Sequence, residues 1–151
     1  MYSIKTVEAY IKGEDIEKYT IEELENDPTF MRMIVLATND KNIYNLCSEK
    51  VKLDYEFVKM MIKRFKNDLN FVCQVANYYL ENSSNEGQNL ELLIIMRGLT
   101  NGKEEQEEQF IKYSLKLECF YSFHRIMASE VKKENKCEDK NSFNNIVGMG
   151  F

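Results

Sequence analysis

Three observations predict an all-α protein, a helical-repeat (solenoid-like) array of short Asp-capped helices packed against one long C-terminal helix. Aspartates recur at Asp27, Asp40, Asp54 and Asp68, thirteen, fourteen and fourteen residues apart, and three residues after each begins an apolar pair: Phe30-Met31, Ile43-Tyr44, Phe57-Val58 and Phe71-Val72. An aspartate in that place accepts the unpaired N–H groups of a helix's first turn, and repetition at a fixed period marks stacked units. From Lys103 to Glu134 no Gly or Pro intervenes, and Phe110, Tyr113, Leu117, Phe120, His124, Met127 and Val131 alternate steps of three and four, which draws one apolar stripe along a long helix. The 151 residues, with one Pro, six Gly, 44% hydrophobic and 30% charged side chains, have the composition of a helix-rich globular chain rather than a disordered one.

The elements follow in order. Ile4, Val7 and Ile11 lie at helical spacing ahead of Gly13, a residue suited to a left-handed helix end. Thr20 to Glu23 has the form of a capping box, and Glu22, Glu23 and Glu25 favour the positive end of the helix that it opens. Pro28 directly follows Asp27, at the first helical position, where a missing N–H costs nothing. Leu53 and Val58 flank the Asp54 cap as a hydrophobic staple. Helices are therefore expected near 28–38, 41–48, 55–66 and 69–81. The polar run Asn82 to Asn89 reads as a loop, the apolar run Leu90 to Leu99 as a buried helix ending near Gly98, and 103–134 as the long helix, widened by Ile111, Leu115, Cys119, Phe123 and Ile126.

A single domain is expected over 1–134, with 27–81 as the repeat array. The charged segment Lys132 to Asn141 reads as a linker, and the apolar turn of Asn144 to Phe151 as the start of a further, truncated element. Cys47, Cys73, Cys119 and Cys137 form no Cys-x-x-Cys pair, so neither a disulfide framework nor a zinc finger has its spacing. No stretch has the length of a membrane span, and the acidic first thirty residues contain no apolar run of a signal peptide. Heavy use of Lys, Asn, Ile, Glu and Tyr beside four Arg points to an A- and T-rich genome and a bacterial or phage cytoplasm.

The stretch Asp27 to Asp54, with Phe30, Met31, Ile34, Val35, then Ile43, Cys47, Ser48, Val51 and Lys52, resembles an uncharacterised family of tandem Asp-capped short-helix repeats. Those repeats likewise read Asp, two variable residues, paired apolars, then a small residue with Ser and a new Asp. The resemblance extends over residues 27–81 and implies a helical-hairpin scaffold and no activity.

Candidate chemistry is sparse. His124 is the one imidazole, but it sits in the apolar stripe, where a core histidine is expected, and Cys119 five residues earlier is poorly placed to share a metal with it. Glu104, Glu105, Glu107 and Glu108 occupy the first turn of the expected long helix, where negative charge is favoured without a cation. Gly148-Met149-Gly150 lacks the strand and helix of a phosphate loop, and no nucleophile-elbow or metalloprotease motif occurs. No cofactor and no catalytic residue are expected.

Charge is more informative. Residues 1–27 hold eight acidic and three basic side chains, net −5, whereas residues 50–66 hold six basic and two acidic, net +4. Lys59, Lys63 and Lys66, with Tyr55 nearby, form the expected partner-binding stripe. The function read from the sequence is a non-catalytic protein-protein interaction module, an accessory of phage defence, counter-defence or toxin immunity. The alternatives are a nucleic-acid-binding helical repeat, with Tyr44 or Tyr55 stacking on bases, and an enzyme of unknown type. An overall charge of −5 repels a polyanion and places nucleic acid second.

Overall fold

Ser3 opens the first helix by accepting the Thr6 N–H on its hydroxyl at 3.2 Å. Helix α1 runs Ile4–Lys12 and stops at Gly13, whose φ of 71° turns its N–H back onto the Ala9 and Tyr10 carbonyls. The computed structural model describes residues 1–113 and Leu115; among them the regular elements are all helical. They fall into two compact units, Met1–Ser83 and a second beginning at Ser84. The expected single-domain span ends at residue 134, beyond the described residues.

In the first unit α2, Ile21–Glu25, starts at Thr20, whose hydroxyl accepts the Glu23 N–H. Helix α3, Pro28–Thr38, begins at Asp27, and this carboxylate has two tasks: Oδ1 accepts the Thr29 N–H at 2.9 Å, and Oδ2 accepts the Tyr2 hydroxyl. The same aspartate thus starts α3 and ties the N-terminus to it. Helix α3 buries Phe30, Met31, Ile34 and Val35 completely and packs against α1, α2, the 3-10 helix Lys41–Leu46, α4 (Glu49–Lys52) and α5 (Tyr55–Arg64). It is the hub of the unit. Helix α1 buries no residue fully; its Tyr10 and, ahead of the helix, Tyr2 dock through rings set edge-on to Phe30 at centroid distances of 5.4 and 4.9 Å.

Asp40, Asp54 and Asp68 stand immediately before the 3-10 helix, α5 and α6 (Leu69–Asn82), and their side chains accept the N–H groups of Asn42, Phe57 and Phe71 at 2.9, 2.9 and 3.2 Å. Helices α5 and α6 pack on each other. Phe57, Val58, Met61 and Ile62 are buried from α5, and Val72, Cys73, Val75, Ala76 and Tyr79 from α6.

The second expected helix, 41–48, is cut short as a 3-10 helix, and a further short helix that the sequence pattern does not predict follows it. A 3-10 turn covers Lys41–Leu46, and a separate α4 covers Glu49–Lys52. Ser48 causes the break. Its N–H donates to the Glu25 carbonyl at 3.0 Å instead of to a carbonyl one turn back, its hydroxyl donates to Asn26 Oδ1 at 2.7 Å, and the same oxygen caps α4 by accepting the Val51 N–H. Helix α5 ends at Arg64 rather than 66, with a turn over 65–67.

In the second unit, helix α7 runs Glu86–Thr100, so the loop expected over 82–89 shrinks to 83–85. Asn85 accepts the Gln88 N–H at 3.0 Å, and the polar residues read as loop include the solvent-facing first turn of a capped helix. Leu92, Leu93, Met96 and Thr100 are buried; the Thr100 hydroxyl donates to the Met96 carbonyl at 2.7 Å. Helix α8 covers 104–113 with Phe110 fully buried. Ile111 and Leu115, expected to widen the apolar face, are 40% and 56% exposed. The remainder of the expected long helix, His124, the linker and the final element lie outside the described residues.

Candidate functional site

The basic stripe is partly assembled by α5. Lys63 and Lys66 are exposed and Lys59 is half-buried, its Nζ 5.4 Å from the centroid of the Tyr55 ring. Lys63 and Arg64 occupy the last turn of α5, where cations meet the partial negative charge of the unpaired carbonyls; Lys66 extends the cluster into the turn that follows. Arg64 Nε donates to Asn39 Oδ1 at 2.9 Å, and Asn39 is the left-handed residue (φ 53°) that ends α3. That bond holds the basic end of α5 against the hub helix.

Tyr55 does not belong to the surface. It is 8% exposed, with its ring centroid 5.5 Å from that of Tyr79. At the first position of α5 it packs against α6 as a core residue. Tyr44 is 3% exposed and meets Phe71 edge-on; neither tyrosine offers a face to a base. Lys52 covers Tyr44 instead, its Nζ 4.9 Å from that ring's centroid and 5.8 Å from that of Tyr78. Such a cation–π contact stabilises by ~0.5–2 kcal/mol depending on solvent access. The Tyr44 hydroxyl is buried without a hydrogen-bond partner, and burial pushes its phenol up from the ordinary value.

Two other cations of this unit are engaged by the caps. Lys41 pairs with Asp68. That pairing and the Phe71 N–H hold the Asp68 carboxyl below its usual range. Arg32 Nη1 lies 3.7 Å from Asp54 Oδ1. Lys63 and Lys66, by contrast, project from a helix end and the turn beyond it.

A second feature has no counterpart in the sequence reading. An open concavity of about 840 Å³ is lined by Thr20 to Glu23, Glu25, Asn26, Leu46 and Ser48. Its carboxylates are those of Glu22, Glu23 and Glu25, and no cationic side chain lines it. Ile21 and Leu46, 25 positions apart in the chain, contribute aliphatic side chains that are each 48% exposed. The two bonds from Ser48 to Glu25 and Asn26 clamp its walls together, and the Tyr10 hydroxyl fixes the Glu25 carboxylate at 2.6 Å. Sequence patterning marks the acidic run Glu22 to Glu25 but not Leu46, which reaches the same surface only through the Ser48 clamp.

Buried Cys47 donates its thiol to the Ile43 carbonyl, and burial pushes that thiol up to about 12. It is neither a nucleophile nor a metal ligand in that state. Among the described residues no group of three or more His, Cys, Asp or Glu is placed to hold a metal, and no helix is long and apolar enough to cross a membrane.

Fold and surface together define the class: an all-helical protein, among its described residues, with a basic helix end and an acidic concavity. No protein-family model, no curated protein and no solved structure matches the chain.

Proposed function

We propose that the protein is a non-catalytic binding module for another protein. In this reading the Asp-capped units over 27–81 are a helical-repeat scaffold, and Lys59, Lys63 and Lys66 are its contact stripe for an acidic partner surface. The observation that carries the reading is the exposure of Lys63 and Lys66 at a braced helix end, within a net +4 segment of a chain whose total is −5. Local charge of one sign on a chain of the other steers and orients partners. Burial of Tyr44 and Tyr55 removes from the surface the two rings nearest the stripe that could stack on single-stranded bases, which supports the protein reading over the nucleic-acid one. The free thiols Cys47 and Cys73 accord with a reducing cytoplasm as the setting.

The test is a comparative pull-down with the wild-type chain and the triple variant Lys59→Glu, Lys63→Glu, Lys66→Glu. A protein recovered with the wild type and lost with the triple variant, at unchanged helical circular dichroism, is the expected result. Equal recovery by both chains refutes the stripe. Recovery of nucleic acid instead, with affinity collapsing between low and moderate salt, replaces the reading with the nucleic-acid one.

A further inference from the structure

We infer that the concavity between α2 and the 3-10 helix is a second docking site. Its occupant is a short lysine- or arginine-rich segment of a partner protein that carries an aliphatic side chain between its cations. The concavity's lining residues are separate from the Lys59, Lys63 and Lys66 stripe, so the two surfaces are tested independently.

Two properties of the surface select this occupant. The first is charge: Glu22, Glu23 and Glu25 line the concavity and no Lys or Arg does, within a segment, residues 1–27, of net charge −5. Polyanions and anionic lipid surfaces are repelled there, and a cationic chain is drawn in. The second is the pair Ile21 and Leu46, each 48% exposed in the same concavity. Water contact with two aliphatic side chains is relieved by an occupant that covers them, and a hydrated small cation or a polyamine has no such group to offer. Charge and apolar surface together therefore select a segment with both kinds of side chain.

The site is also formed in advance. Ser48 joins the end of α2 to the start of α4 through its bonds to Glu25 and Asn26, Thr20 fixes the first turn of α2, and Tyr10 orients the Glu25 carboxylate. An occupant consequently need not order the walls, which lowers the entropic cost of docking. Glu22 and Glu23 are exposed, leaving their carboxylates accessible to incoming ammonium or guanidinium groups.

The experiment measures fluorescence anisotropy of a labelled lysine-rich decapeptide containing two leucines, titrated with the full chain. Two control peptides are used, one with the leucines replaced by serine and one with the lysines replaced by glutamate. The lysine-leucine peptide is expected to bind about tenfold or more tightly than either control, because burying part of one aliphatic side chain is worth roughly a factor of ten. Ile21→Ala with Leu46→Ala is expected to weaken binding about tenfold, and Glu22→Gln with Glu23→Gln to weaken it and flatten its salt dependence. Glu14→Gln with Glu17→Gln, which removes the same charge from the same segment outside the concavity, is expected to weaken binding clearly less than the Glu22 and Glu23 pair does. Equal binding of the serine control peptide overturns the proposal, since attraction is then charge alone. So does equal loss from the Glu14 and Glu17 variant, or displacement of the peptide by spermidine with no dependence on Ile21 and Leu46. Should the double alanine variant lose its helical signal, the glutamine pair decides by itself.

Discussion

Replacing Asp54 by alanine tests how the scaffold is started. The Asp54 carboxylate accepts the Phe57 N–H at 2.9 Å and lies 3.7 Å from Arg32 Nη1, with both side chains 32% exposed. Loss of an aspartate N-cap costs about 1 kcal/mol. A part-exposed ion pair at that separation, screened by solvent, adds at most about 0.5 kcal/mol. The expected destabilisation is therefore about 1–1.5 kcal/mol. With a urea dependence of about 2 kcal/mol per molar, the denaturation midpoint drops by about 0.5–0.75 M. Urea titration followed by far-ultraviolet circular dichroism reads this shift, and Asp54→Asn separates its causes, since asparagine caps nearly as well but carries no charge. Asn is expected to retain most of the stability. An unchanged midpoint for Asp54→Ala refutes the capping argument, and an Asn variant as weak as Ala assigns the energy to Arg32 instead. The consequence reaches the proposed contact stripe, because α5 carries Lys59 and Lys63 on the helix whose other face supplies Phe57, Val58, Met61 and Ile62 to the core.

Two further outcomes follow from buried groups. Tyr44→Phe removes a hydroxyl that has no hydrogen-bond partner while leaving the ring beneath Lys52, so thermal or urea stability is expected to stay level or rise by up to about 1 kcal/mol; a loss exceeding 1 kcal/mol means that a buried water satisfies the hydroxyl. Cys47 is 6% exposed with its thiol pushed up to about 12, and Cys73 is likewise buried with its thiol raised. Native protein treated with iodoacetamide at about pH 8 is therefore expected to yield unlabelled Cys47 and Cys73 peptides, since the thiolate is the reactive form. Rapid labelling of either before unfolding contradicts that burial.

The sequence by itself determined the helical class and most helix starts. Gly13, Thr20, Pro28 and the aspartates act within one turn of their own position, so their chemistry is written in the residues beside them. The apolar pairs after each aspartate were legible for the same reason, being inward-facing positions in the first turns of a helix whose start is already fixed. Tertiary structure decided whatever depends on a residue far along the chain. Ser48 reads as the last residue of a helix over 41–48 until the Glu25 carbonyl and Asn26 side chain claim its donors and its hydroxyl oxygen caps α4 instead. Tyr55 reads as a surface aromatic beside a lysine stripe until α6 brings Tyr79 against it. Leu46 and Ile21 line one concavity because the Ser48 clamp folds their segments together. Local hydrogen bonding is fixed by a few neighbouring dihedrals, whereas a surface built from distant segments exists only once the chain has closed the loop between them.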